Sequence, residues 1–167
     1  MQEIKLWGWS KKSRTMIRFI KNGDIFCFRM SEKEYRFGRI ISKITMGHVV
    51  EIFDFSSLVP DITKEQVLNA KRGMPPLLLD TYRTFDRKMK EEEYDDWRII
   101  GHHRHYIPQD ADSIFFVYGV GSFHKVDIYG ADHPISKEEA AQLPRLAVYA
   151  SQLKKIEKGL LASSFKG

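Results

Sequence analysis

The run Lys21-Asn22-Gly23-Asp24-Ile25-Phe26-Cys27-Phe28-Arg29-Met30, answered by Glu34-Tyr35-Arg36-Phe37-Gly38-Arg39-Ile40-Ile41, commits this chain to an antiparallel sheet. Asn-Gly-Asp is turn chemistry: glycine takes positive φ freely, and Asn and Asp side chains bond nearby backbone. The two apolar runs are rich in aromatic and β-branched residues, which suit a pleated surface. Ser31-Glu32-Lys33 is polar enough to be the hairpin loop. A period of two puts Ile25, Cys27 and Arg29 on one face and Phe26, Phe28 and Met30 on the other. Gly38, inside the return strand, marks a bulge or a close backbone approach.

Strand signals continue on both sides of this hairpin. Met16–Ile20 reads as a short strand running into the turn. Val49–Phe55 reads as another, with Val50, Ile52 and Asp54 opposite Glu51 and Phe53. Thr63-Lys64-Glu65-Gln66 fits a capping box, with Ile62 and Val67 as a hydrophobic staple. Gly73 and Pro75-Pro76 stop that helix. Leu77–Arg83 is compatible with strand or helix, and Phe85–Asp96 with a charged helix or an exposed loop. Arg98–Gly101 is a short strand. Ile114–Val120 and His124–Tyr129 are two strands around Gly121-Ser122. Ser136–Glu139 is a second capping box. From Pro144 to Leu161, Leu146, Tyr149, Leu153, Ile156 and Leu160 recur at steps of three or four, the stripe of an amphipathic helix. The expected fold is α+β: a single domain over residues 1–167, built on a twisted, partly curled antiparallel sheet. Helices pack on it, including the C-terminal amphipathic one, and residues 1–15 and 162–167 are expected to be flexible.

The longest apolar stretch, Ile114–Val120, is far below the ~20 residues of a membrane span. The N-terminus lacks the apolar core of a signal peptide, and the lone cysteine rules out an internal disulfide. These features fit a cytoplasmic protein. The net charge of +5 is uneven: +7 over residues 1–50, −5 over 51–135 and +3 over 136–167. The basic residues are dispersed, with no dense Lys/Arg block, so no specific nucleic-acid partner is expected.

Four constellations invite chemistry. In His102-His103-Arg104-His105, adjacent strand residues point to opposite faces, so only His103 and His105 can share a ligand. The helical His-x-x-x-His or Cys-x-x-Cys partners of a metal site are missing, and a loop of partly exposed histidines is the simpler reading. Cys27, between two phenylalanines, reads as a small apolar residue rather than a nucleophile. Gly119-Val120-Gly121 begins like a dinucleotide fingerprint, but the third glycine position holds His124 and no helix follows. No catalytic, cofactor or metal residue is assigned. The fourth is Glu91-Glu92-Glu93-Tyr94-Asp95-Asp96-Trp97, five acids and two aromatics. It reads as a solvated helix face, or as an interface whose acids steer a basic partner and whose rings anchor it.

The Gly23-Asp24 turn, the aromatic strand Ile25–Phe28, the Tyr35-x-Phe37-Gly38-Arg39 return and Val50-Glu51-Ile52-Phe53 together resemble the immunity protein 26 family. Gly23, Asp24, Tyr35, Gly38 and Arg39 match its motif, and Asp24 and Arg39 look like its recurring polar pair, able to form a salt bridge. The resemblance implies a non-catalytic, cofactor-free antidote that binds the C-terminal domain of a cognate bacterial toxin. A nuclease of a contact-dependent growth inhibition system is the expected target, blocked at its active site. On that reading Glu91, Glu92, Glu93, Tyr94, Asp95, Asp96 and Trp97 are the candidate toxin-binding residues. Two rivals stand beside it: an RNA-binding module using exposed aromatics on a basic sheet face, and a hydrolase centred on His103 and His105.

Overall fold

The hairpin at the centre of the sequence is also the centre of the fold. The computed structural model describes residues 3–11, 17–85, 96–146, 148–149 and 153–164. The strands are β1 (Ile4–Leu6), β2 (Asp24–Ser31), β3 (Glu34–Ile44), β4 (Gly47–Ser57), β5 (Leu77–Leu79), β6 (Trp97–His103), β7 (Phe115–Tyr118), β8 (Phe123–Asp127), β9 (Asp132–Ile135) and β10 (Val148–Tyr149). The helices are α1 (Lys64–Leu68), α2 (Thr81–Phe85), α3 (Lys137–Ala140) and α4 (Leu153–Ser164). A seven-stranded open sheet has the order β1-β6-β2-β3-β4-β5-β10, and a three-stranded sheet the order β7-β8-β9. Every pairing is antiparallel except β5 with β10.

The period-two alternation in β2 has a consequence seldom met in an antiparallel sheet: both faces are covered. On one face Phe26, Phe28, Ile40, Val50, Ile52, Leu77, Leu79, Trp97 and Ile99 pack under α2 and α4, which contribute Phe85, Leu153 and Ile156. Phe28 stacks on Trp97 with ring centroids 4.0 Å apart and planes 6° from parallel. Such a pair adds about 0.5–1.5 kcal/mol to plain burial. The opposite face carries two apolar clusters. Ile25, Cys27, Phe37, Phe53 and Ile100 lie with Ile62 and Val67 around α1. Ile41, Val49 and Leu78 lie under Ile114, Phe116 and Ile128 of the smaller sheet and its approach.

Gly38 is a close approach and a register shift at once. A Cβ there would lie 2.3 Å from the Glu51 carbonyl oxygen and 2.4 Å from Phe26 Cζ. The β3–β4 register slips between Arg36 and Gly38. The capping box at Thr63 is formed in both directions, with Gln66 N donating to Thr63 Oγ1 at 3.1 Å and Thr63 N to Gln66 Oε1 at 2.8 Å.

Several expectations are corrected. Ile17–Phe19 is a turn of 3-10 helix, not a strand. Leu77–Arg83 divides between β5 and the start of α2. The first helix stops at Asn69, four residues before Gly73. The stripe read from Pro144 to Leu161 is not one helix. Val148 and Tyr149 form β10 beside Leu78 and Leu79, Leu146 packs on the smaller sheet's cluster, and α4 starts only at Leu153. The open edge of β5 offers unpaired backbone groups, and pairing them outcompetes another helical turn. The smaller sheet stands apart as a second layer, which the strand signals alone did not reveal.

Candidate functional site

Two apolar clusters share one face of the large sheet, and the residues between them along β3 and β4 are charged. Arg39 sits between Phe37 and Ile41, and Glu51 between Phe53 and Val49. The register places Arg39 directly opposite Glu51. Arg39 Nε donates to Glu51 Oε2 at 2.9 Å, with both residues almost wholly buried. Arg72, from the connection after α1, donates its Nε to Glu51 Oε1 at 2.9 Å. Its two terminal nitrogens grip Asp110 at 2.5 and 2.9 Å. Tyr106 also borders this group. Its ring lies under the Arg39 guanidinium, 3.6 Å from centroid to Cζ.

His103 completes the group. It is 2 % exposed, and its Nδ1 lies 2.8 Å from an Arg39 terminal nitrogen. A guanidinium can only donate, so Nδ1 accepts and the imidazole is neutral with its proton on Nε2. Burial, and then the Arg39 charge, lower its pKa to about 4. Burial raises the Tyr106 hydroxyl well above its usual range, with the Glu51 charge adding to it. The bond from Arg72 holds the Asp110 carboxyl below its ordinary value. Two guanidinium and two carboxylate groups cancel, and each has charge-assisted partners. A buried ionic group of this kind is tolerated because it is balanced and hydrogen-bonded; removing one member is what costs.

The other side of the same strand ends is built from Asp24 and His102. Gly23 has φ +90°, and a Cβ on it would meet the His103 carbonyl oxygen at 2.2 Å. Asp24 Oδ2 accepts from Lys21 N at 2.9 Å, closing the turn, while Oδ1 lies 2.8 Å from His102 Nδ1. Burial nevertheless raises the Asp24 carboxyl above its usual value. Asp24 and Arg39 are therefore not a pair. Arg39 is opposite Ile25 in the ladder, so Asp24, one residue earlier, points to the other face. Tyr35 stands further along β3, edge-on to Trp9 at 5.4 Å.

The histidine run is a strand end rather than a loop: β6 continues through His102 and His103, which face opposite sides as period two requires. His105 follows in a turn at φ 58°. Among the described residues no group of three or more His, Cys, Asp or Glu side chains is placed to hold a metal ion. Cys27 is fully buried, and burial raises its thiol far above the usual range. Of the candidate toxin-binding residues, Glu91, Glu92, Glu93, Tyr94 and Asp95 lie outside the described residues. Asp96 is half-buried, bonded to Arg98 at 2.9 Å. Trp97 is corrected from surface anchor to core: it is 1 % exposed, enclosed by Phe26, Phe28 and Phe85. Sequence reasoning missed Arg72, Tyr106 and Asp110. The one available signal was Glu51 itself, a charge inside Val49-Val50-Glu51-Ile52-Phe53 that had to find a buried partner.

The fold is a mixed α+β one, with this charged network buried on one face of its larger sheet. The family model for Immunity protein 26 matches residues 21–122, more than half of the chain, and the chain belongs to that family. The match spans β2 to β7 and contains the whole Arg39–Glu51–His103–Arg72–Asp110 network. Membership implies a toxin-neutralising role and a cognate toxin as partner, in a class that is generally non-catalytic. No curated protein and no solved structure matches the chain. No helix among the described residues is long and apolar enough to cross a membrane.

Proposed function

We propose that this protein neutralises a nuclease toxin domain of a contact-dependent growth inhibition system, as an antidote acting in the cytoplasm by covering the toxin's active site.

 The observation that carries this reading is the family match over residues 21–122. The acidic run supports the choice of target. Glu91, Glu92, Glu93, Tyr94 and Asp95 are covalently continuous with Asp96 at the start of β6, in the only third of the chain with a net negative charge. Nuclease clefts are basic because they bind phosphate, so this run is the proposed toxin-docking element.

The rival readings draw less support from the side chains. An RNA-binding sheet needs exposed rings on which bases can stack. Phe26, Phe28, Phe37 and Trp97 are instead buried, on faces covered by helices or by the second sheet. A hydrolase needs a histidine free to exchange protons with substrate. His103 is buried and its Nδ1 is occupied by Arg39, while His105 lies beyond the strand end.

Co-expression with the toxin domain encoded beside its gene tests the proposal. Growth should be restored, the purified proteins should form a stable complex, and the toxin's cleavage of nucleic acid should stop on mixing. Continued growth arrest in cells holding abundant, folded protein would refute it.

A further inference from the structure

The smaller sheet meets the β3–β4 turn at a groove of about 240 Å³. Ile44, Met46, Val126 and Leu146 form its apolar walls, and Tyr118 and Asp132 stand beside them. In the ladder Val126 has Phe116 on one side and Asp132 on the other, and Tyr118 and His124 pair in the next row of the same face. That face is turned to the large sheet, because Phe116, Val126 and Leu146 pack in one cluster with Ile44. Met46 is 53 % exposed, a long apolar side chain left in water. Gly130 adds no side chain to the groove, and a Cβ there would meet only Ile44 Cγ2, at 4.0 Å.

Asp132 is the one charged group lining the groove among the described residues, and its side chain is 47 % exposed. Tyr118 Oη donates to its Oδ1 at 2.5 Å, and His124 Nδ1 lies 3.2 Å from Oδ2. The bond raises the Tyr118 hydroxyl above its ordinary value, which keeps it a donor. Each carboxylate oxygen has two acceptor sites, so both have room for another donor. No Lys or Arg among the described residues pairs with Asp132. Arg145 donates to the Gly119 carbonyl at 3.4 Å, and Lys43, opposite His48 in the ladder, faces the other side of the large sheet from Ile44.

A fixed carboxylate beside an apolar groove suits a ligand that is aliphatic along its length and cationic at its tip. A bare metal ion would need more ligands, and among the described residues no third His, Cys, Asp or Glu joins Asp132 and His124. An arginine side chain meets both requirements, since its stem lies along apolar surface while its charged head stays at the polar end. Its planar fork matches a carboxylate in two parallel bonds, and it is more weakly hydrated than a lysine ammonium.

We propose that this groove receives an arginine side chain of the toxin, its stem against Ile44, Met46, Val126 and Leu146 and its guanidinium on Asp132, with Tyr118 holding the carboxylate in place. The proposal rests on the toxin-binding reading above, in which the partner's surface is basic, and adds a contact from the smaller sheet to the acidic run.

The test separates the groove from the toxin reading. The ¹⁵N-labelled full chain is titrated with N-acetyl-arginine amide, with its neutral counterpart N-acetyl-citrulline amide and sodium chloride as controls. Saturable amide shifts at Met46, Val126, Gly130 and Asp132 are expected with the arginine compound alone, and they should be lost in Asp132→Asn. Absent shifts, shifts that do not saturate, shifts that citrulline reproduces, or shifts that survive in Asp132→Asn overturn the proposal. The citrulline comparison is made on the wild-type chain and does not depend on how a variant folds. Equal affinity for N-acetyl-lysine amide overturns the choice of arginine. A second arm measures affinity for the toxin domain encoded beside the gene. Asp132→Arg should weaken binding about tenfold or more while the amide spectrum shows a retained fold. Unchanged affinity in the folded variant overturns the docking role. If the wild-type chain does not bind that domain at all, the toxin reading fails, and the arginine titration still decides the groove's ligand.

Discussion

Arg39 and Glu51 face each other across the β3–β4 ladder with 2.9 Å between Nε and Oε2, buried between two apolar clusters. Glu51 also holds Arg72, so it is the shared anion of two guanidinium groups. Replacing Glu51 with Ala leaves a buried positive charge without its main partner. The expected loss is about 3–5 kcal/mol. Replacing both Arg39 and Glu51 with Met and Leu removes the unpaired charge and should cost less than Glu51→Ala alone. Urea unfolding of the three proteins checks the order.

Trp97 carries stability rather than binding. Trp97→Ala removes the ring stacked on Phe28 and should cost about 3–5 kcal/mol. Its effect on the toxin should appear as a smaller folded fraction, with the affinity of the folded fraction retained. A folded Trp97→Ala variant that releases toxin faster would return this residue to the interface.

Acid should destabilise the protein through two histidines. His48, buried with Nδ1 2.8 Å from Thr81 Oγ1, has its pKa lowered to about 4 by burial and then by Lys43. His103 is lowered to about 4 as well. Between that value and the ordinary 6.5, the unfolded chain binds protons that the native chain refuses. Stability is therefore full above pH ~6.5 and falls as the pH drops toward ~4, by an amount on the order of a few kcal/mol. Asp24 acts in the opposite sense, because its raised pKa lets the native chain take a proton first and softens the low end of the decline. Denaturation midpoints measured from pH 4 to 7 should show this slope, and His48→Asn should flatten it. A flat profile in the wild-type protein would contradict the burial of both rings.

The acidic run should govern encounter with the toxin. Replacing Glu91, Glu92 and Glu93 together with Ala is expected to slow association and reduce its salt dependence, with little change in dissociation. Stopped-flow mixing at several ionic strengths reads both rates. An unchanged association rate would remove this segment from the interface.

What the sequence determined by itself is local. Gly23-Asp24 starts a strand because glycine accepts φ +90° and the Asp24 side chain closes its own turn. The alternation in β2 assigned Phe26 and Phe28 to one face and Ile25 and Cys27 to the other, and Thr63–Gln66 wrote its capping box in four letters. These signals are legible because each depends on backbone geometry within a few residues. Tertiary structure decided the rest. Trp97 beside five acids reads as a surface anchor until β6 is set against β2, where its ring meets Phe28. Tyr149 fits a helical stripe until the edge of β5 offers its backbone a partner. Arg39, Glu51, Arg72, His103 and Asp110 come from four separate stretches of chain, and no spacing links them. Only the covering of both sheet faces shuts Glu51 away from water, and a buried carboxylate then stays charged only where cations converge on it.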